Sequence, residues 1–119
     1  MIAQFGLEDI IRGERVIVTD PLSYLDMLCL QAGAEVIVTD SGGVQKEAYY
    51  HGVPSVVLRE NTEWIELVEL GWAKLAPINR EKIVAAIRSA QPGEVGESPY
   101  GRGDTAESIC KIMRDSLMQ

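Results

Sequence analysis

Short runs of β-branched residues alternate with helix-like segments along most of this 119-residue chain, and this alternation limits the possible folds more than any other feature. Four segments are typical of buried strands: Arg15 to Thr19, Glu35 to Thr39, Pro54 to Leu58 and, more weakly, Ala73 to Ala76. A strand, a helix and another strand in regular succession predict parallel strands joined by right-handed crossovers. We therefore expect an α/β protein, with a Rossmann-like parallel sheet of about four strands and flanking helices.

Capping residues place the helices between these strands. Asp20 is the predicted N-cap of the first crossover helix, Pro21 its first residue and Gly33 its end. A partial helix from Ile2 to Gly13 comes before the first strand, so the chain enters the α/β pattern midway. The other helices are predicted from Ser41 to His51, from about Thr62 to Leu70, from Arg80 to about Ala90, and over residues 104–117.

Residues 91–103 contain four glycines and two prolines, a composition that neither a helix nor a central strand tolerates. We interpret this segment as a connector to the closing helix. One Rossmann-like domain is expected over residues 1–119. Four strands make a small sheet with exposed edges. Together with the midway start, this suggests a fragment, a fold completed by a partner, or a dimer.

The charge balance argues against several classes of partner. There are 18 acidic and 11 basic side chains, with a formal net charge of −7. Such a field disfavours nucleic acid and anionic membranes. It also repels a phosphorylated ligand, unless backbone N–H groups or an arginine override it at short range.

The cysteines and the apolar segments indicate a cytoplasmic protein. Cys29 and Cys110 are far apart and lack the spacing of a zinc site or a disulfide framework. No apolar stretch approaches the ~20 residues needed to span a bilayer, and the N-terminus lacks a signal-peptide pattern.

The strongest local signal is VIVTDSGGVQKE, residues 36–47, which predicts a buried strand, a glycine turn and a helix. Ser41, Gly42 and Gly43 lie where the first N–H groups of the helix are free and the helix dipole is positive. Glycines there let the backbone approach a ligand closely. The segment predicts a phosphate site, although a capping serine and a tight turn explain the same residues without a ligand.

Two charged residues accompany this segment. Glu47 is one turn behind Gly43, so its carboxylate leans towards the same helix end and can accept hydrogen bonds from ribose hydroxyls. Arg59 follows the third strand and can offset negative charge beside a diphosphate. Alternatively, Glu47 is a solvated helix carboxylate and Arg59 pairs with Glu60 or Glu63.

Other prominent residues have structural explanations. Asp40 is expected to shape the turn after its strand and to bind neighbouring N–H groups. Trp64 and Trp72 are expected to pack in the interior. No nucleophile triad or metal-ligand cluster is visible, so we predict no catalytic residue, metal or cofactor.

Three segments resemble one family, the non-hydrolysing UDP-N-acetylglucosamine 2-epimerases: TDSGGVQKEA (39–48), LRENTEW (58–64) and SPYGRGDTAESI (98–109). The segment DPLSYLDML (20–28) is similar to the part of that family beside the uracil. The resemblance implies part of the C-terminal domain of a GT-B fold, in which two Rossmann-like domains enclose a nucleotide sugar. By position it assigns the diphosphate to Ser41, Gly42 and Gly43, the ribose to Glu47, the phosphate region to Arg59, and the uracil to backbone near Leu22 and Met27.

One departure concerns the substrate. Many relatives continue the Thr-Glu pair with Arg-Pro, whereas this chain has Trp64 and Ile65. The tryptophan resembles a branch of the family that acts on UDP-N-acetylglucosamine or on uronic-acid-type derivatives.

The resemblance implies epimerisation at C2 by elimination of UDP and its re-addition. The family's acid and base groups fall in stretches that this chain lacks, so we expect UDP or UDP-N-acetylhexosamine binding without activity of the chain alone. A homo-oligomer, or association with an N-terminal domain, is expected. The alternatives are a non-catalytic assembly or nucleotide-binding module and, less favoured, a glycosyltransferase fragment.

Overall fold

Three parallel strands form the sheet in the computed structural model, which describes Gly6 and residues 15–117. The strands are β1 (Ile37–Thr39), β2 (Ser55–Val57) and β3 (Ala73–Leu75), in the order β1-β2-β3. Each lies within a predicted strand. The helices are α1 (Tyr24–Ala32), α2 (Gly42–Tyr50), α3 (Ile65–Glu69), α4 (Arg80–Arg88) and α5 (Thr105–Leu117).

The register brings the carboxyl ends of the three strands to one edge of the sheet. Thr39 is paired with Val57, and Val57 with Leu75. The ladder continues one step further, because the Leu58 amide donates to the Thr39 carbonyl at 2.9 Å. The turn that leads into α2 and the loop that leads to α3 therefore start side by side.

The strand predicted from Arg15 to Thr19 is wrong, because this exposed segment has no strand assignment and pairs with no other strand among the described residues. Ile17 is 89% exposed. β-Branched residues favour a strand only where a neighbouring strand and a packed face are available. Within the described residues, β1 pairs with β2 alone, so the sheet has three strands rather than about four.

Two helices begin later than predicted. α1 starts after Ser23 rather than Asp20, because the Ser23 side chain accepts the Asp26 amide and its hydroxyl donates to the Asp26 carboxylate at 2.6 Å. α3 starts at Ile65 rather than near Thr62, since the Thr62 hydroxyl accepts the Trp64 amide and fixes a turn. The ends predicted for α2 are confirmed, with Ser41 and His51 as its caps.

The core lies under β2 and β3. Val57, Leu67, Trp72 and Ala73 form a buried cluster, against which Tyr49, Trp64 and Tyr100 pack among others. The packing roles predicted for Trp64 and Trp72 are thereby confirmed.

The C-terminal third has a different character. Asn79 caps α4 by accepting the Lys82 amide, as predicted. No helix or strand occurs within residues 91–103, and α5 has no buried residue although one side of it is apolar.

No helix in the described part of the chain is long and apolar enough to cross a membrane. The partial helix predicted from Ile2 to Gly13 lies outside the described residues, apart from Gly6.

Candidate functional site

The N-terminus of α2 presents free backbone donors at the carboxyl edge of the sheet. Ser41 is the N-cap in an extended conformation, and its side chain makes no capping hydrogen bond. The first amide of α2 with an intrahelical partner is that of Gln45, which donates to the Ser41 carbonyl at 3.3 Å. The amides of Gly42 and Gly43 precede it and belong to the electropositive first turn.

The Ser41 amide itself is occupied, because it donates to the Thr39 hydroxyl at 3.0 Å. Thr39, and not Asp40 as predicted, is therefore the residue whose side chain holds this turn. The threonine hydroxyl reaches the second amide after it in an ST turn, which leaves the exposed Asp40 outside this contact. Ser41 can thus offer its hydroxyl to a ligand, and Gly42 and Gly43 their N–H groups.

The segment from residue 59 to residue 64 covers the first turn of α2. The Trp64 indole Nε1–H donates to the Gly42 carbonyl at 2.9 Å. A Cβ atom at Gly42 would collide with the Glu63 carboxylate, so a glycine allows this close approach. Glu63 in turn forms an ion pair with Arg59 at 3.0 Å, with both side chains partly exposed. The alternative partner considered for Arg59 is thus present, and the pair lies next to the electropositive helix end.

A buried glutamine attaches this covering segment to α2. Gln45 is fully buried, and its side-chain nitrogen Nε2 also donates to the Ser41 carbonyl at 3.3 Å. Its amide oxygen accepts the Thr62 hydroxyl at 2.7 Å. Because the Thr62 hydroxyl also accepts the Trp64 amide at 3.2 Å, one network joins Ser41, Gln45, Thr62 and Trp64. The turn before α2 is held from both sides.

Glu47 faces α1. Its carboxylate oxygen Oε2 accepts a hydrogen bond from Gln31 Nε2 at 2.7 Å. Gln31 is 4% exposed, while the Glu47 side chain is only partly buried. A fixed donor therefore holds one oxygen of this carboxylate on the side of α1.

Lys46 lies between two aromatic rings. Its ammonium group is 3.7 Å from the centre of the Trp64 ring and 4.1 Å from the centre of the Tyr100 ring. The two rings are 6.1 Å apart and nearly perpendicular. The cation–π contacts place Tyr100 of the connector beside α2 and beside the residue that binds Gly42.

Tyr100 and Glu66 influence each other's ionisation. Burial, and then the neighbouring Glu66 carboxylate, raises the pKa of the Tyr100 phenol above its ordinary value of 10.0. The backbone amide of Glu66, followed by Tyr100, lowers the pKa of the Glu66 carboxyl below 4.5.

A sequence model of the UDP-N-acetylglucosamine 2-epimerase family matches residues 3–114. The chain belongs to this family. A UDP-N-acetylglucosamine 2-epimerase homolog of Methanococcus maripaludis is 45% identical over 96 residues, which are 80% of this chain and 27% of the relative. A UDP-2,3-diacetamido-2,3-dideoxy-D-glucuronate 2-epimerase of Pseudomonas aeruginosa is 38% identical over 98 residues, 81% of this chain and 28% of the relative.

Solved structures agree with the sequence comparison. The UDP-GlcNAc 2-epimerase of Methanocaldococcus jannaschii matches with a TM-score of 0.81 and 36% identity over 95% of this chain and 32% of that one. Its complex with UDP-GlcNAc and UDP matches with a TM-score of 0.79, at the same identity and coverage. The predicted class, a Rossmann-like part of a GT-B fold, is confirmed. The chain spans about a third of these relatives' length.

The structure brings most of the predicted site residues of this epimerase-family chain to one place. Ser41, Gly42 and Gly43 form the start of α2, Glu47 is on the same helix, and Arg59 is joined to it through Glu63. Their ligand roles remain predictions.

The two residues predicted beside the uracil have different surroundings. Met27 lies on α1 and lines a shallow cavity of about 310 Å³ together with Gln31, Thr39 and Val44. Leu22 lies in the segment before α1 and is not part of that lining. The cavity adjoins Gln31, whose amide holds Glu47, so Met27 is the better placed of the two.

Sequence reasoning missed the polar residues that support the site. Gln31, Thr62 and Lys46 read as ordinary helix or loop residues, because their partners are 15 or more positions away in the sequence. The available signal is that Lys46, Thr62 and Tyr100 fall within the three resemblance segments, which do not indicate the partner of any of them.

Proposed function

We propose that this chain binds the UDP part of a UDP-N-acetylhexosamine and forms the nucleotide-holding portion of a 2-epimerase. The Gly42 and Gly43 amides and the Ser41 hydroxyl bind the diphosphate at the electropositive end of α2. The observation that carries the proposal is the start of α2, where these donors precede the Gln45 amide that makes the first intrahelical bond. A relative whose solved structure holds UDP-GlcNAc and UDP supports the choice of nucleotide.

Glu47 accepts the ribose hydroxyls in this proposal, and backbone near Leu22 and Met27 meets the uracil. The carboxylate offers two oxygens, of which Oε2 accepts Gln31. Within the described residues, no donor contacts the other oxygen, so it is available for a sugar hydroxyl. The cavity beside Met27 and Thr39 is lined mainly by apolar side chains, which suits the face of a base.

Arg59 and Glu63 set the local charge. Glu63 lies against Gly42, where it competes with an incoming diphosphate for the positive helix end. Arg59 neutralises Glu63 and can transfer its hydrogen bonds to a phosphoryl oxygen. The partly exposed position of both side chains leaves room for this exchange.

Epimerisation at C2 needs a base near C2 and a proton donor for the departing diphosphate. The proposed site assigns Glu47 to the ribose and the backbone donors to the diphosphate, so neither is assigned to the proton transfers at C2. We therefore propose that residues 1–119 act as a partial nucleotide-sugar-binding domain that holds UDP during its elimination and re-addition and is inactive alone.

The test is a titration of the chain with UDP, followed by amide NMR. We expect shifts of the Gly42 and Gly43 amides at millimolar UDP, with weak binding, because the chain tested spans only about a third of the length of its relatives. The amide of Arg88, at the end of α4, is the internal control, because the helix that follows β3 begins at the carboxyl edge of the sheet and ends away from it. Amides of α2 that stay unmoved while the chain remains folded would contradict the proposal.

A second candidate function is an assembly module. It is favoured by α5, whose apolar residues Ile109, Ile112, Met113 and Leu117 are exposed within the described part of the chain. An exposed apolar stripe of this kind marks a contact surface, either with a second copy or with an N-terminal domain. Light scattering separates the two candidates, since a monomer that binds UDP supports only the first.

A further inference from the structure

Gln31 is the one buried residue of α1, and its buried amide contacts the proposed ribose-binding carboxylate. Gln31 Nε2 donates to Glu47 Oε2 at 2.7 Å, from a side chain that is 4% exposed. A carboxylate oxygen only accepts hydrogen bonds, so the amide nitrogen must face Glu47 and the orientation of the amide is fixed.

Filling the space between α1 and α2 with a glutamine costs free energy of folding. Its amide oxygen Oε1 is buried without a hydrogen-bond partner among the described residues. An unpaired buried amide oxygen destabilises the fold, whereas methionine or leucine would fill the same volume without that cost. The amide is therefore better explained by its effect on Glu47 than by packing.

The effect on Glu47 is to fix a flexible side chain. A free glutamate samples several rotamers, and ordering it on ligand binding costs affinity. The hydrogen bond from Gln31 orders the carboxylate beforehand and occupies Oε2. The other carboxylate oxygen, Glu47 Oε1, then has a defined position on a side chain that is still partly exposed.

We propose that Gln31 is a positioning residue, which orients Glu47 to recognise the ribose hydroxyls of the nucleotide. The inference rests on the proposed UDP-binding function. It predicts that Gln31 affects the preference for ribose over a sugar without hydroxyls, and that this preference depends on Gln31 only through Glu47.

The experiment compares UDP with 2′,3′-dideoxy-UDP on four forms of the chain: wild type, Gln31→Met, Glu47→Gln and the double variant. The wild type should prefer UDP. Gln31→Met, which keeps the volume, should lower the preference for UDP over dideoxy-UDP about tenfold, and this ratio cancels any effect on the base cavity that Gln31 also lines. In the double variant, the loss of preference should equal that of Glu47→Gln alone.

The outcomes separate the two proposals. A wild type that does not bind UDP contradicts the proposed function, and the role of Gln31 with it. A wild type that prefers UDP, together with a Gln31→Met variant that weakens both ligands equally, overturns the positioning role alone, since a structural residue acts on both.

A measurement on the wild type covers the case in which Gln31→Met does not fold. The side-chain amide resonance of Gln31 should shift further with UDP than with dideoxy-UDP, because only UDP adds ribose hydroxyls at Glu47 to the contact of the base with the cavity that Gln31 lines. An equal shift with both ligands would show that Gln31 does not report on ribose binding, and would refute the role.

Discussion

The start of α2 and the closing helix α5 are held in opposite ways. The α2 turn is fixed by Thr39, Gln45 and Trp64 through hydrogen bonds of 2.9 to 3.3 Å to backbone atoms. α5 is the longest helix of the described chain, yet it buries no residue. The difference shows that the hydrogen bonds that order the proposed site come from Thr39, α2 and residues 59–64, and not from α5.

The largest expected effect comes from truncating one leucine in each region and comparing the two losses of stability. Leu67→Ala removes a fully buried side chain under the site and should lower the free energy of unfolding by about 3 kcal/mol. Leu117→Ala, at a position 84% exposed on α5, should change it by less than about 0.5 kcal/mol. Urea unfolding measures both, and similar losses would contradict the contrast between the two regions.

The hydrogen-bond network of Gln45 sharpens the comparison. Thr62→Val keeps the side-chain shape but removes the hydroxyl that donates to Gln45 and accepts the Trp64 amide. The free energy of unfolding should fall by about 1.5 kcal/mol, because a buried amide oxygen loses its donor. Thr62→Ser restores the hydroxyl and should recover most of the stability. If serine destabilises as much as valine, the loss comes from packing and not from the network.

Charge at the α2 N-terminus gives a smaller effect. Glu63→Gln removes a negative charge beside Gly42 and releases Arg59, so UDP should bind about threefold more tightly. Glu69→Gln, an exposed position at the end of α3, is the control and should have no effect. Calorimetry at low and high salt measures the gain, which should shrink with salt. Weaker UDP binding by Glu63→Gln would mean that Glu63 contacts the ligand.

The smallest expected effect is a pH dependence of stability from Tyr100. The pKa of its phenol is raised on folding, so the folded protein holds this proton more tightly than the unfolded chain. The resulting stabilisation is complete below pH 10 and declines as the pH rises through the folded pKa. Tyr100→Phe should remove that alkaline decline, and urea unfolding from pH 8 to pH 11 measures it. An unchanged decline in the phenylalanine variant would assign it to another group.

The sequence was sufficient for the elements whose signals are local. The glycine pair after a β-branched run predicted the β1–α2 turn, and Asn79 predicted the start of α4, because a cap acts on amides two or three residues away. Arg15 to Thr19 has an equally good local pattern, but a strand also requires a partner, which local propensity does not supply.

The candidate site divides in the same way. The donors of Ser41 to Gly43 follow from helix geometry alone. The contacts that order the site, Gln31 with Glu47 and Thr62 with Gln45, join residues 16 and 17 positions apart. The packing of α1 and residues 62–64 onto α2 decides which polar side chains meet at such separations. The hydrophobic periodicity of the sequence does not reveal this packing.

The Lys46 ammonium between two rings has a mechanical consequence. Tyr100 belongs to the connector, and Trp64 binds the Gly42 carbonyl, so a single cation links the C-terminal third to the first turn of α2. A shift of the connector would alter the surroundings of Lys46 and, through the Trp64 indole, the position of the Gly42 backbone. A displacement of the connector would therefore reach the backbone amides to which the diphosphate is proposed to bind.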